Sequence, residues 1–211
     1  YQGVPSMGSV LHTLNIRLSP TDLEYIINHA GDRVIFADED LLPLLEPLWG
    51  KIPCVELLVI CRHGEGGESN FANQIDYEDF IADHPAAYDW PDIPETAPMG
   101  LCYTSGTTGN PKGVMYTNRS TYLHTLTESL TDSMGLSALD SLLGIVPMFH
   151  AMGWGLPFAA SMLGTKQVYP HRFMTPDSFL SLMQQEQVTI SAGVPTTVSY
   201  THLTLPTKVT G

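Results

Sequence analysis

The stretch YTSGTTGNPKG, residues 103–113, contains the densest group of residues that could bind a charged ligand. Its glycines would let backbone N–H groups turn toward an anion without obstruction by side chains: Gly106, Gly109 and Gly113. Four hydroxyl side chains add donors: Thr104, Ser105, Thr107 and Thr108. Lys112 supplies a movable positive charge. This combination predicts a loop that holds the β- and γ-phosphates of a nucleotide and leaves one hydroxyl free for a magnesium ion.

The spacing of the same stretch excludes several other phosphate-binding and catalytic loops. A P-loop needs Gly-Lys-Ser/Thr followed by a helix, but Lys112 stands between Pro111 and Gly113. A kinase-type G-x-G-x-x-G spacing is also absent, and Tyr103 stands where a nucleophile elbow around Ser105 would need glycine. An ordinary glycine-rich turn would explain flexibility, but not four hydroxyls and a lysine together.

A second candidate stretch is MFHAMGWG, residues 148–155. His150 and Trp154 are four residues apart, so they would share one face of a helix that began here. Gly153 and Gly155 flank the tryptophan and would give its indole room to move. Residue types alone leave a structural interpretation open for each residue. His150 could be a hydrogen-bonded structural histidine, and Trp154 could belong to the hydrophobic core.

Strand and helix signals alternate along the chain and would position both stretches. Strands are predicted at 9–15, 33–37, 55–60, 100–104, 113–117, 140–147, 166–170 and 188–194. Helices are predicted from the Ser19 cap to the Gly31 stop, at 38–49 with proline breaks, at 77–83, 118–133 and 152–164, and from about 175. Residues 84–98, with four prolines, predict a surface crossing. This order of elements predicts an α/β fold with mostly parallel sheets flanked by helices.

The composition and charge of the chain restrict the molecules that it could bind and the compartment in which it could lie. The formal charge of −13 argues against electrostatic binding to nucleic acid or to anionic membranes. No apolar run reaches the roughly 18 residues of a transmembrane helix. The three cysteines form no C-x-x-C pair and are typical of a reducing compartment, so we expect a cytoplasmic protein. The histidines lack the spacing of zinc ligands.

The stretch YTSGTTGNPKGV resembles the phosphate-binding signature of the adenylate-forming, or AMP-binding, superfamily. Three further segments resemble that family in the same order: VLHTLNIRLSPTDLEYIINHAGDRVIFAD, VPMFHAMGWGLPFAASMLGTKQV and VTISAGVPT. The resemblance covers residues 1–198 and is strongest to medium- and long-chain fatty acyl-CoA synthetases. The 3-methylmercaptopropionyl-CoA ligases have nearly the same segments.

The resemblance implies a ligase that consumes a carboxylic acid, ATP and CoA, forming an acyl-adenylate and then a thioester. It implies Lys112 and His150 as catalytic residues and Thr104 as the contact for Mg²⁺. Nucleotide-binding residues are implied along the loop: Thr104, Ser105, Gly106, Thr107, Thr108, Gly109 and Lys112. Ala151 and Trp154 are implied to lie near CoA, with Trp154 as a gate to the fatty-acid tunnel.

The resemblance weakens after Thr197, where VSYTHLTLPTKVTG shows no apolar face at helical spacing. We therefore expect residues 1–198 to be a partial large N-terminal domain, truncated at both ends, and residues 199–211 to be a non-native tail. The C-terminal domain is expected to be absent, and the 211 residues alone to be inactive. A short-acid CoA ligase and a non-catalytic nucleotide-binding or scaffold protein stay open as alternatives. A homodimer of the full-length protein is compatible with the resemblance.

Overall fold

The computed structural model describes residues 1–64, 69–104 and 109–193, and it divides the chain into two compact units. The loop unit comprises Leu14–Asp92 and Leu101–Met115, and it includes both ends of the glycine-rich loop. The turn unit comprises Tyr1–Thr13, Ile93–Gly100 and Tyr116–Gly211, and it includes the MFHAMGWG stretch.

The loop unit is built on a parallel sheet with strand order β2-β3-β4. Its strands are β2 (Val34–Asp38), β3 (Leu57–Cys61) and β4 (Gln74–Asp76). The central strand β3 pairs with both neighbours, Val59 lying opposite Phe36 and Ile75. A parallel strand that is buried on both faces reads as a continuous apolar run, and LLVIC is such a run. Strand β4 was not predicted, because QID is short and only partly apolar.

Helix α2 (Pro20–Ala30) has the boundaries that the sequence predicts. The Ser19 hydroxyl accepts a hydrogen bond from the Asp22 amide at 3.1 Å, and Gly31 ends the helix in the left-handed conformation. One face, with Leu23, Ile26 and Ile27, is buried in the core of the loop unit. This helix is therefore specified by local signals at both ends and by its apolar face.

Three shorter helical segments and one short helix complete the loop unit. Residues 38–49 form a 3₁₀ helix (Glu39–Leu41), α3 (Leu42–Leu45) and another 3₁₀ helix (Glu46–Leu48). The predicted interruption of this helix by Pro43 and Pro47 is confirmed, since each proline lies in the first turn of a new segment. Helix α4 (Tyr77–Ala82) follows β4 directly, as predicted for residues 77–83.

The turn unit contains a second parallel sheet, of strand order β8-β7-β9. Its strands are β7 (Ser141–Gly144), β8 (Lys166–Val168) and β9 (Ile190–Ala192). Helices α1 (Gly3–Ser6), α5 (Asn118–Ser129), α7 (Leu156–Leu163) and α8 (Pro176–Gln185) belong to the same unit. Leu142, Leu156 and Ala159 lie together in its core, so α7 packs its apolar face on β7.

A third sheet has strand order β1-β5-β6, with β1 (Leu11–His12), β5 (Pro98–Tyr103) and β6 (Gly113–Thr117). The chain passes from one unit to the other within β5 and again within β6. The predicted strand at 9–15 is present only as the two residues of β1. No helix among the described residues is long and apolar enough to cross a bilayer.

Helix α5 begins where expected but ends four residues earlier than the predicted 133. At its start Thr117 and Ser120 bond each other's backbone amides, which forms a capping box. Near its end the hydroxyls of Thr127 and Ser129 donate to backbone carbonyls four residues earlier. Such side-chain bonds compete with the helical ladder, and Leu130 is already extended.

The fold class is confirmed. The chain is an α/β protein whose parallel sheets are flanked by helices, and the glycine-rich loop connects two strands rather than a strand and a helix.

Candidate functional site

The two ends of the glycine-rich loop are joined by hydrogen bonds. The Thr104 amide donates to the Lys112 carbonyl at 3.0 Å, and the Lys112 amide lies 3.4 Å from the Thr104 hydroxyl. Four of the predicted phosphate contacts lie outside the described residues: Ser105, Gly106, Thr107 and Thr108. The described ends nevertheless define a closed loop whose neck is the pair Thr104 and Lys112.

The side chains at this neck are accessible to solvent. Thr104 and Lys112 are both exposed, while Pro111 beside the lysine is buried and fixes the chain direction. Gly109 has a φ of 95°, a left-handed conformation that favours glycine, and no described atom lies within 4 Å of the position that a Cβ would take. A hydroxyl and an ammonium group thus stand at the loop's neck, where an anionic ligand could reach them.

The strand that enters the loop is anchored by a histidine that the sequence analysis missed. Tyr103 is buried, and its hydroxyl lies 2.7 Å from Nδ1 of His29 on α2. Burial raises the pKa of the Tyr103 hydroxyl, so it remains neutral and can donate this bond. His29 stands in the last turn of α2, where the sequence indicated only a helix end. The contact fixes the residue immediately before Thr104.

Gly113 allows the strand after the loop to lie close to the strand before it. A Cβ at this position would come within 3.2 Å of the Leu101 and Tyr103 side chains. The third glycine of the loop therefore serves close packing between β6 and β5, not only backbone freedom.

In the turn unit the stretch around His150 does not form the predicted right-handed helix. Residue His150 is extended, and α6 (Ala151–Trp154) is a single turn in which every φ is positive. A regular helix beginning at residue 150, the condition for a common helical face of His150 and Trp154, is therefore not met. The right-handed helix starts only at Leu156, after Gly155 with a φ of 77°. Local sequence could not show this, because alanine, methionine and tryptophan rarely adopt positive φ.

The predicted site residues of this turn are all exposed: His150, Ala151 and Trp154. Within the described chain the His150 imidazole has no hydrogen-bond partner, unlike a typical structural histidine. The Trp154 residue is 37% exposed, so in this chain its indole is not part of a core. The imidazole and the indole are thus both accessible for contact with a ligand.

Two more residues of the turn unit contact this turn and were not singled out in the sequence. His124 on α5 lies 2.9 Å through Nε2 from the Trp154 carbonyl, and the same nitrogen lies 3.3 Å from the Glu128 carboxylate. The spacing of His124 and Glu128, four residues apart, matches no functional motif. The group that His124 contacts, the Trp154 carbonyl, is 30 residues further along the chain.

Comparison with known proteins places the chain in a family. The model of the family "AMP-binding enzyme" matches residues 1–208, and the chain belongs to this family. The resemblance to the adenylate-forming superfamily is thereby confirmed. A search for similar folds finds the anthranilate CoA ligase AuaEII in complex with anthranoyl-AMP, with a TM-score of 0.78 and 23% identity. That match covers 94% of this chain and 38% of the other, and it supports the fold alone.

Curated relatives share more of the sequence. The medium-chain fatty-acid–CoA ligase of Ectopseudomonas oleovorans is 43% identical over 196 residues, 92% of this chain and 36% of that protein. The 3-methylmercaptopropionyl-CoA ligase of Ruegeria pomeroyi is 44% identical over 93% of this chain and 36% of that protein. The long-chain fatty-acid–CoA ligase of Thermus thermophilus is 44% identical over 93% of this chain. The chain thus spans little more than a third of these relatives' length.

Proposed function

We propose that the whole protein is a fatty acid–CoA ligase that forms an acyl-adenylate from ATP and then a thioester with CoA. The observation that carries the proposal is the identity of 43–44% with three CoA ligases over more than nine-tenths of the chain. The exposed lysine and hydroxyl at the neck of the loop support it, because the first step needs groups that bind a triphosphate.

In the first step a carboxylate oxygen of the acid attacks the α-phosphorus of ATP, and the bond from that phosphorus to pyrophosphate breaks. Negative charge grows on the leaving pyrophosphate. Lys112 is proposed to stabilise that charge, together with backbone amides of residues 105–109. The hydrogen bonds between Thr104 and Lys112 fix the backbone position from which the lysine side chain extends.

The neck offers one side-chain oxygen, that of Thr104, as a proposed ligand for a magnesium ion. Mg²⁺ prefers hard oxygen ligands and is commonly held by one or two protein oxygens and the substrate's phosphates. The Thr104 hydroxyl is exposed, and its contacts with Lys112 are long, at 3.4 Å, so its oxygen is available as such a ligand. When bound, the ion would offset phosphate charge. We propose Thr104 as the contact.

In the second step the thiol of CoA gives its proton to solvent and its sulfur attacks the acyl carbon, and the bond from that carbon to the phosphate oxygen breaks, so that AMP leaves. His150 is proposed to contact the reacting carboxyl group, which its accessible imidazole permits. Ala151 and Trp154 are proposed to lie near CoA, and Trp154 to close the path of the acid. The exposed indole on a glycine-flanked turn supports this gate.

Small molecules are the proposed partners: the acid, ATP and CoA. The charge of −13 supports the absence of a nucleic-acid partner. We also propose a cytoplasmic protein, since the sequence has only three cysteines and they form no C-x-x-C pair. A homodimer is the proposed assembly.

A second candidate is a ligase for a short acid. One relative at 44% identity is named a 3-methylmercaptopropionyl-CoA ligase, which is as similar to this chain as the fatty-acid ligases are. A third candidate, a scaffold that only binds nucleotide, would use the loop but would need no accessible His150.

The test is to purify the whole protein and measure exchange of labelled pyrophosphate into ATP with acids of increasing length, including 3-methylmercaptopropionate. Thioester formation is measured in parallel after addition of CoA. Exchange that peaks with medium or long acids supports the proposal, and a peak with the short acids supports the second candidate. ATP binding without exchange for any acid contradicts both and supports the scaffold.

A further inference from the structure

The turn that carries Trp154 is held in a conformation that its own residues disfavour. Five consecutive residues have positive φ, and three of them are not glycine: Ala151, Met152 and Trp154. Left-handed backbone brings Cβ of such residues too close to the next carbonyl oxygen. Strain of this kind persists only where the surroundings determine the conformation, and it is concentrated at functional sites.

One contact that holds the turn is apolar. The Met152 side chain is buried and packs on Gly100 of β5, where a Cβ would stand only 2.9 Å from the Met152 Cε. The Thr13 hydroxyl lies 3.9 Å from the Met152 sulfur. These contacts fix the middle of the turn, but they leave Trp154 itself to be held by something else.

The second contact is polar and acts on Trp154 directly. Nε2 of His124 lies 2.9 Å from the Trp154 carbonyl oxygen. A carbonyl oxygen can only accept, so Nε2 must carry a proton and donate it. His124 also contacts the next residue, since a Cβ on Gly155 would stand 2.4 Å from the imidazole Cδ2. The imidazole of His124 therefore packs against the backbone of the turn.

Glu128 competes for the same proton. Its Oε1 lies 3.3 Å from His124 Nε2, and its side chain is only 7% exposed. Its other oxygen, Oε2, is buried without a hydrogen-bond partner among the described residues. A carboxylate is a stronger acceptor than a peptide carbonyl, so ionised Glu128 draws the Nε2 proton away from Trp154. A neutral Glu128 leaves that proton to the Trp154 carbonyl.

The environment favours a neutral carboxyl over a wider pH range than usual. Burial raises the pKa of Glu128, and the neighbouring His124 acts in the opposite direction. Helix α7, which packs on α5, has no titratable side chain in LPFAASML. The turn itself adds only His150, which is exposed. His124 and His150 are thus the titratable groups to be separated from Glu128 in a test.

We propose that His124 and Glu128 are positioning residues for Trp154, holding its turn firmly while Glu128 is protonated and releasing it as Glu128 ionises. The proposed effect of His124 and Glu128 on the conformation of the turn does not depend on the function of the protein. Its consequence for entry of the acid rests on the proposed function, in which Trp154 is the gate.

The test uses the whole protein labelled with 5-fluorotryptophan, with the Trp154 resonance assigned by its loss in Trp154→Phe. The resonance is followed from about pH 4.5 to 8 in the wild type, in Glu128→Gln and in His124→Ala. We expect it to titrate in the wild type, to lose that titration in Glu128→Gln, and to stay at the released position in His124→Ala. Glu128→Gln keeps the size of the side chain, so it serves as the permanently neutral form.

Two results would overturn the proposal. One is a wild-type resonance that does not move across this range. The other is a titration that persists in Glu128→Gln, which would belong to His150 or another group. If His124→Ala fails to fold, His124→Leu replaces it, because leucine fills much of the same volume and has no group that can donate to the Trp154 carbonyl. Pyrophosphate exchange on the same samples separates the two proposals. A titrating resonance without exchange contradicts the ligase alone, and exchange with an unresponsive resonance contradicts the positioning role alone.

Discussion

The amide of Thr104 donates to the carbonyl of Lys112 across a loop of seven residues, at 3.0 Å. This bond makes β5 and β6 the two sides of a closed loop, and the exposed Thr104 and Lys112 lie at its neck. The backbone bond does not depend on the lysine side chain. The charge of Lys112 can therefore be removed while the loop's closure is retained.

Lys112→Ala in the whole protein should slow acyl-adenylate formation by about 10–1000-fold, equivalent to about 1.4–4 kcal/mol of transition-state stabilisation. Thioester formation from preformed acyl-adenylate should hardly change, because pyrophosphate has already left. Both half-reactions are measured separately. Lys51→Ala is the matched control, since Lys51 is an exposed lysine of the same unit that is not part of the loop. Equal losses in both half-reactions would mean that Lys112 maintains the fold or moves domains.

Thr104→Ala should raise the Mg²⁺ concentration needed for half-maximal adenylation, and Thr104→Ser should restore the wild-type value. The serine keeps the hydroxyl oxygen that is proposed to bind the ion, and the alanine removes it. The measurement is a magnesium titration of pyrophosphate exchange. An unchanged magnesium requirement in the alanine variant would contradict the assignment.

Trp154→Ala should let fatty acid bind without ATP and weaken the dependence of each ligand's affinity on the other, since coupling between two ligands is reciprocal. Binding of the acid is measured with and without a non-hydrolysable ATP analogue, beside a melting curve. Because Trp154 is 37% exposed, its loss should cost less than the 3–5 kcal/mol typical of a buried tryptophan. Trp90→Ala, at 60% exposure, is the control. Intact coupling with a large fall in melting temperature would make Trp154 a core residue.

Gly155→Ala should destabilise the protein more than Gly164→Ala. Both glycines have left-handed φ, 77° and 73°, so both variants bear a backbone cost of about 1–2 kcal/mol. Only at Gly155 would the new methyl meet His124, and displacing the imidazole forfeits its bond to Trp154, about 1 kcal/mol more. Chemical unfolding measures both. If the two glycine variants lose the same stability, the imidazole does not press on this turn.

Stability should depend on pH in opposite ways at two glutamates. Burial raises the pKa of Glu128, and a carboxyl with a raised pKa contributes stability that is lost as the pH rises through its folded value. Relative to Glu128→Gln, the wild type should therefore lose stability as the pH increases above about 4.5. Arg33 lowers the pKa of the exposed Glu56, so Glu56→Gln should show a small difference of the opposite sign.

Melting temperatures of the wild type and both variants over a pH series check this prediction. Curves for the wild type and Glu128→Gln that stay parallel across the range would show that Glu128 titrates alike in the folded and unfolded chains.

The sequence by itself determined the elements whose signals are local. Ser19, Pro20 and Gly31 specify α2 at both ends, because a cap, a fixed φ and a left-handed stop act within a few residues. The apolar run at β3 likewise fixed a buried parallel strand. The glycine-rich loop could also be recognised from the sequence, because its glycines, hydroxyls and lysine are contiguous and their chemistry does not depend on distant residues.

Only the tertiary structure decided the left-handed turn at residues 151–155 and the side chains that hold it. The local preferences of Ala151, Met152 and Trp154 oppose that backbone, so packing of Met152 on Gly100 and the bond from His124 must impose it. Contacts that join residues tens of positions apart leave no periodic signal in the sequence. For the same reason the contacts of His29 with Tyr103 and of His124 with the Trp154 carbonyl became visible only when the helices were packed on their partners.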